Sequence, residues 1–280
     1  MQAVRIETLG DPRVAAYRDV KDADLRRGRT FLAEGRLNVR RLLTVSRFRT
    51  RSVFVTPAGL DAIREALLRA GSDPAVYVAS QEVLSGVVGY AMHRGCLAEG
   101  LRDPGPEPGL EALCGAGGSP PRLCVALEDV ANPENVGAVF RNALAFGAEG
   151  VLLTPHCVDP LYRKAIRVSM GASLRVPFAR AAAWPHELRR LREAGVFVAA
   201  LCTSRRATPI SELRLPACAR GAALVVGCEG SGLSDAACAE ACARVTIPMA
   251  AGIDSLNAGT ATGIALHHLA MLLRGEGIAA

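Results

Sequence analysis

Asn135, Gly137 and Arg141 fall within one short stretch, Glu229 sits among Gly227, Gly230 and Gly232, and Ser255 and Asn257 stand just before the last apolar segment. Amide, carboxylate and guanidinium groups of this kind orient a polar substrate and meet negative charge as it develops. Glycines admit positive φ and let bare backbone approach a ligand. Taken alone the glycine loop is weak evidence, since Gly-rich turns are common.

The elements that must carry these residues are legible around them. Leu123 to Leu127 is an unbroken apolar run of strand type, and Asn132-Pro133 supplies a helix cap followed by a first-turn proline. A helix of about a dozen residues follows, its buried face made by Val136, Val139, Phe140, Ala143 and Leu144. Gly137 and Arg141 stand one above the other at i and i+4, which directs Arg141 towards the carboxyl edge of the preceding strand, where open α/β sheets bind ligands. Taken alone, Arg141 reads first as a solvated arginine on an amphipathic helix. Residues 224–233, LVVGCEGSGL, are a strand running into a glycine loop. No GxxxxGK[ST] or GxGxxG opens a helix, which argues against a phosphate-loop nucleotide enzyme. Residues 245–257, VTIPMAAGIDSLN, lead into the apolar helix ATGIALHHLAMLL, which Ser255 or Asn257 can cap.

In order and spacing, NPENVGAVFRNALAFG, VVGCEGSGL and IPMAAGIDSLN resemble the three motifs of the SpoU/TrmH family of RNA ribose 2'-O-methyltransferases, in the SPOUT superfamily. The stretch DPLYRKAIRVSMGASLRVPF from Asp159 is also similar. The resemblance runs from about Leu123 to the last helix. It implies an α/β fold with a parallel sheet whose C-terminal segment threads a loop to form a trefoil knot, an exception to unknotted chains. It implies S-adenosylmethionine as methyl donor, with no metal. The adenosine part would be held mainly by backbone groups at Gly227, Ile247 and Leu256, with Gly230 and the loop carrying Thr203 alongside. After Ser-Leu-Asn the family pattern continues Val-Ser-Val, where this chain has Ala258, Gly259 and Thr260. Gly259 near a helix start costs about 1 kcal/mol against Ala unless backbone or cofactor packs closely there. The missing hydroxyl is expected from Thr260 or Thr262.

The family's motif-one arginine maps to Arg141. An arginine keeps its proton at ordinary pH and is a poor base. As a cation it can stabilise a forming alkoxide, while an RNA phosphate takes the proton. The expectation is therefore that Arg141 stabilises the oxyanion and Asn135 positions it, with Glu229, Ser255 and Asn257 shaping the pocket.

Formal net charge is +6, unevenly spread. Between Arg26 and Arg51 lie nine arginines against Glu34 alone. Arg26, Arg27, Arg29, Arg36, Arg40 and Arg41 are candidates for phosphate contact, since arginine pairs bidentately with phosphate and lies flat on bases. Residues 24–58 resemble the small α/β domain that precedes the methyltransferase domain in the rRNA-modifying branch of the family. Arg163 and Lys164 are expected on RNA or on a dimer partner, with RNA preferred. Strands are expected at Phe31–Ala33, Ser52–Val55 and Ala75–Val78, and helices at about Arg36–Val45 and Leu60–Ala70.

Leu101 to Pro121 is rich in Pro and Gly without periodicity and reads as a linker. The expected organisation is an N-terminal RNA-binding domain at 1–100, a linker at 101–121 and a methyltransferase domain at 122–280. No stretch of about 18 apolar residues and no signal-peptide pattern occurs, so a soluble, cytoplasmic protein is expected. The nine cysteines are scattered. Cys238 and Cys242, one helical turn apart, read as buried small hydrophobes, and His267 and His268 as core or interface residues. The resemblance further implies a homodimer, for which the last helix offers Ile264, Leu266, Leu269, Leu272 and Leu273. Ribosomal RNA, 23S and a guanosine in it, is the favoured substrate. A tRNA target or a non-catalytic RNA-binding assembly factor are the alternatives.

Overall fold

The computed structural model describes residues 3–92, 95–102, 108–113, 118–204 and 206–275. The chain divides into two compact units, one made of Met1–Gly105 with Leu161–Arg175, the other of Pro106–Pro160 with Val176–Ala280.

The first unit runs β1 (Ala3–Arg5), α1 (Asp22–Arg27), β2 (Thr30–Glu34), α2 (Arg36–Thr44), β3 (Arg49–Val55), α3 (Pro57–Leu68), β4 (Ala75–Val78), α4 (Gln81–Val88) and β5 (Cys96–Leu101). Its sheet has the order β1-β4-β3-β5-β2, with β5 antiparallel to both neighbours and the other pairs parallel. Thr56 caps α3 ahead of Pro57, and Ser80 caps α4, which ends at the left-handed Gly89. Tyr17 is buried against Phe54, its hydroxyl 2.7 Å from the Ser52 hydroxyl, so the one polar atom of a core aromatic is satisfied.

In the second unit come β6 (Leu123–Leu127), α5 (Pro133–Phe146) and β7 (Gly150–Leu153). The chain then leaves for the first unit, where it forms α6 (Arg163–Val168). It returns for β8 (Phe178–Arg180), α7 (His186–Glu193), β9 (Val196–Leu201), β10 (Thr208–Pro209), β11 (Gly221–Val226), α8 (Asp235–Glu240), β12 (Ala243–Thr246) and α9 (Ala258–Arg274). All strand pairs are parallel, in the order β10-β12-β9-β11-β6-β7-β8. Every residue of the central strands β6 and β11 is buried, as expected for strands covered on both faces. The order reverses beside β6, and open parallel sheets bind ligands at the carboxyl ends around such a point.

The expected elements are present with bounds shifted by a few residues, and β6 and β4 coincide with the strands read from the sequence. The stretch read as a linker divides differently. Residues 103–107 and 114–117 lie outside the described residues, but Leu110–Leu113 form a short 3-10 turn whose Leu110 and Leu113 are buried with Leu152 and Leu188. A single turn has no period to reveal it. The segment Leu161–Arg175 packs with the first unit, for reasons of charge: the Arg163 guanidinium lies 3.2 Å from Asp22 and 3.2 Å from Glu34 and donates to the Val20 carbonyl at 2.9 Å. Arg41 donates to the Met170 carbonyl, and the Leu174 carbonyl accepts from the Arg47 amide. Cys242 falls beyond the end of α8 and is exposed, because α8 stops at Glu240; Cys238 is half-buried. His268 is buried, and His267 stacks edge-on to Phe146 at 5.5 Å. Among the described residues no helix is long and apolar enough to cross a membrane.

The glycine at the start of α9 finds its reason in α5. A Cβ on Gly259 would lie 2.5 Å from the Ala138 Cβ, and Asn142 donates to the Gly259 carbonyl at 2.7 Å. The two helices therefore touch nearly backbone to backbone, which offsets the helix-propensity cost of glycine. Thr262 returns its hydroxyl to the Ala258 carbonyl of its own helix at 2.7 Å, and Thr260 is exposed. Gly259→Ala is expected to destabilise the chain by about 1–3 kcal/mol despite its better helix propensity, because the added methyl meets Ala138. Urea denaturation measures this, and Ala138→Gly in the same chain should recover part of the loss.

Candidate functional site

A cavity of about 780 Å³ opens at the carboxyl ends of β9, β11 and β12. Its wall contains Thr203, Gly227, Gly230, Ile247 and Leu256, the expected cofactor residues, together with Glu229, Ser255 and Asn257. The glycine loop after β11 folds back on itself: the Gly232 amide donates to the Cys228 carbonyl at 3.2 Å, and a side chain on Gly227 would run into the Gly232 backbone. Gly230 and Gly232 have φ of +104° and +70°, which only glycine adopts without strain. A Cβ on either would meet no protein atom within 4 Å, so bare backbone faces open space.

Asn135 sits in the first turns of α5 and is 2% exposed. Its amide donates to Glu229 at 2.7 Å, and Asn257 donates to the Asn135 carbonyl oxygen at 2.8 Å and to Glu229 at 3.3 Å. Asn257 is simultaneously the cap of α9, accepting from the Gly259 and Thr260 amides at 2.9 and 3.3 Å. Each end of both amides is thus used, which also fixes their orientation. Ser255 is exposed on the wall and is not the cap. Arg141 stands on the exposed side of α5, outside the wall, and pairs with no carboxylate among the described residues.

Sequence reasoning missed a second polar junction. Glu128, 7% exposed at the end of β6, accepts from the Trp184 indole at 2.7 Å, the Ser234 hydroxyl at 2.6 Å and the Ser234 amide at 2.9 Å. Ser234 caps α8 just after the glycine loop, so this carboxylate anchors the loop's far end. An acidic residue directly after an apolar strand was the available signal. Cys202 and Cys238 also line the wall. Burial, with the Cys238 thiol beside it, pushes the Cys202 thiol up to about 11, so it stays protonated and unreactive at neutral pH. Among the described residues no group of three or more His, Cys, Asp or Glu is placed to hold a metal ion.

The arginine surface belongs to the first unit. Arg36 and Arg40, one turn apart on α2, are exposed and pair with no carboxylate among the described residues, whereas Arg27 pairs with Asp24. Arg26 is half-buried, and Arg29 is exposed with φ of +56°. Arg41 and Arg163 are spent on ties within the unit, the Arg163 side chain being only 25% exposed; Lys164 beside it is exposed.

A family model described as the SpoU rRNA Methylase family matches residues 122–267. An uncharacterized tRNA/rRNA methyltransferase of Mycobacterium bovis is 39% identical over 262 residues, spanning 92% of this chain and 88% of that protein. Among solved structures, an AdoMet-bound rRNA methyltransferase from Sinorhizobium meliloti superposes with a TM-score of 0.76 at 23% identity, covering 99% of each chain, a likeness of fold. An RNA 2'-O ribose methyltransferase superposes at 0.73 with 25% identity, covering 97% of this chain and 99% of that one.

Asn135 is buried while Glu229 and Asn257 are exposed, but the three side chains share their hydrogen bonds, so their energies are coupled. Asn135→Ala is expected to cost about 1–2 kcal/mol in urea denaturation by removing the two hydrogen bonds of a buried amide, the exposed Glu229 and Asn257 turning to water instead. Asn257→Ala should cost about as much, including roughly 1 kcal/mol from the lost cap. The double variant should cost clearly less than the two losses combined; simple additivity would show that the three side chains do not act together.

Proposed function

The chain belongs to the SpoU rRNA Methylase family, and from that premise we propose that it transfers a methyl group from S-adenosylmethionine to a ribose 2'-hydroxyl of structured RNA. The observation that carries this reading is the meeting of Asn135, Glu229 and Asn257 at the rim of a cavity walled by glycine backbone. The cavity is of nucleoside-ligand size and combines apolar side chains with main-chain polar groups. Gly230 and Gly232 leave room at the wall that any side chain would fill. When bound, S-adenosylmethionine supplies a methyl already activated on a sulfonium. The backbone at Gly227, Ile247 and Leu256 is proposed to hold its adenosine, with Thr203 and Gly230 beside it. The trefoil threading belongs to the same proposal, since it accounts for the segment before α9 lying against the loops after β9 and β11.

The ribose oxygen must lose its proton as its bond to the methyl carbon forms. Arg141 keeps its own proton and serves as the cation that stabilises the developing negative charge, while an RNA phosphate or water accepts the proton leaving the hydroxyl. Asn135, buried with both ends of its amide engaged, is a positioning residue that fixes Glu229 and Asn257, and the exposed Glu229 on the wall is proposed to hold the incoming ribose in line. Ser255 completes the rim.

Ribosomal RNA is the favoured substrate, 23S and a guanosine, in the cytoplasm. The exposed Arg36 and Arg40 with Lys164, and Arg26, Arg27 and Arg29 nearby in sequence, support an RNA-binding first unit. The tRNA alternative rests on the double designation carried by the Mycobacterium bovis relative. The presence together of Asn135, Arg141, Glu229 and Asn257 argues against a decayed, binding-only factor. A homodimer through α5 and α9 completes the proposal. Ile264 is 41% exposed and Leu272 and Leu273 are half-buried, whereas Leu266 and Leu269 face inward and are unavailable to a partner.

Incubation with methyl-labelled donor and separated rRNA and tRNA pools, followed by mapping of the modified nucleotide, tests the substrate. Label should enter the ribose of rRNA. Arg141→Ala is expected to lower turnover by about 10²–10³-fold while retaining donor affinity; near-normal turnover would remove Arg141 from the mechanism.

A further inference from the structure

Three charged side chains line the cavity among the described residues: Glu229, Arg244 and Asp254. Glu229 is engaged by Asn135 and Asn257. Arg244 is the one cation of the wall among the described residues, and neither it nor Asp254 makes an ion pair or side-chain hydrogen bond with any of them. Their oxygen and nitrogen atoms therefore lie beyond ion-pair distance, although they share one cavity.

The position of Arg244 is set by register rather than by loop conformation. Arg244 and Thr246 are two apart on β12 and face the cavity, while Val245 between them is fully buried. Parallel pairing of Arg244 opposite Ala200 on β9 holds that phase. A guanidinium is a planar donor matched to a carboxylate, and a cation and an anion held apart on one wall suit a ligand that is itself dipolar. The α-amino acid end of the methyl donor has that form, with a carboxylate and an ammonium on one carbon.

We infer that Arg244 binds the α-carboxylate of the donor's amino-acid tail and that Asp254 faces its ammonium, a polar subsite separate from the backbone groups around the adenosine. This rests on the reading that S-adenosylmethionine occupies the cavity. It makes Arg244 a residue that distinguishes full-length donor from tailless adenosine compounds.

Calorimetric titration of the full chain with S-adenosylhomocysteine, decarboxylated S-adenosylmethionine and 5'-methylthioadenosine tests it, because these carry both tail charges, the ammonium alone and neither. Arg244→Gln should weaken S-adenosylhomocysteine about tenfold and leave the other two unchanged, with Arg244→Lys recovering part of the loss. Asp254→Asn should weaken the first two and spare 5'-methylthioadenosine. An equal loss for all three ligands in Arg244→Gln would mean a damaged wall, and no loss for S-adenosylhomocysteine would mean that the carboxylate is held elsewhere; either overturns the inference while leaving the donor assignment standing. Failure of the unaltered chain to bind S-adenosylmethionine or any of the three would overturn the donor assignment, and this subsite with it.

Discussion

A buried amide has to be satisfied on both sides, and Asn135 meets that demand with partners 94 and 122 residues further along the chain. The requirement draws together the start of α5, the glycine loop after β11 and the cap of α9. The cost of an unmet hydrogen bond falls on the buried Asn135 amide, while Glu229 and Asn257 reach it from the exposed side, so it is Asn135 that ties the arrangement together. Whatever the loop does for a ligand, it does from a frame fixed by this amide.

The sheet explains why those segments are within reach at all. Parallel strands place every carboxyl end on one edge, so loops distant in sequence become neighbours there. Small residues then settle the distance between the helices: Gly259 against Ala138 lets α9 approach α5 closely enough for one side-chain hydrogen bond from Asn142 to bridge them. Glu128 anchors the glycine loop at Ser234, the end opposite Glu229. The loop is therefore restrained at both ends while its middle, at Gly230, keeps bare backbone towards the cavity.

The parts visible in the sequence were those with local signatures. The apolar run of β6 and the Asn132-Pro133 start of α5 are local patterns, and the structure places both where they were read. The cavity residues were accessible only through motif resemblance, since nothing in the spacing of Gly227 and Leu256 says that they share a wall. Interactions between distant residues left no trace in the sequence. Arg163 looked like one more basic residue among several, yet its partner Asp22 is 141 residues away. Arg244 looked like an ordinary strand residue, because β-strand alternation identifies faces but not which face borders a cavity. Leu110 and Leu113 were hidden by the Pro and Gly around them.

The excursion of Leu161–Arg175 has a bearing on how such a chain is taken apart or assembled. The polypeptide passes between its units at three points, so no single cut yields two self-sufficient pieces. A fragment starting at Pro106 would carry Ile166 and Leu174, both fully buried in the intact chain, without the surface that covers them. Modular inheritance by one genetic junction is closed to this architecture: exchanging the front unit for another would also require re-coding a fifteen-residue insert in the middle of the back one.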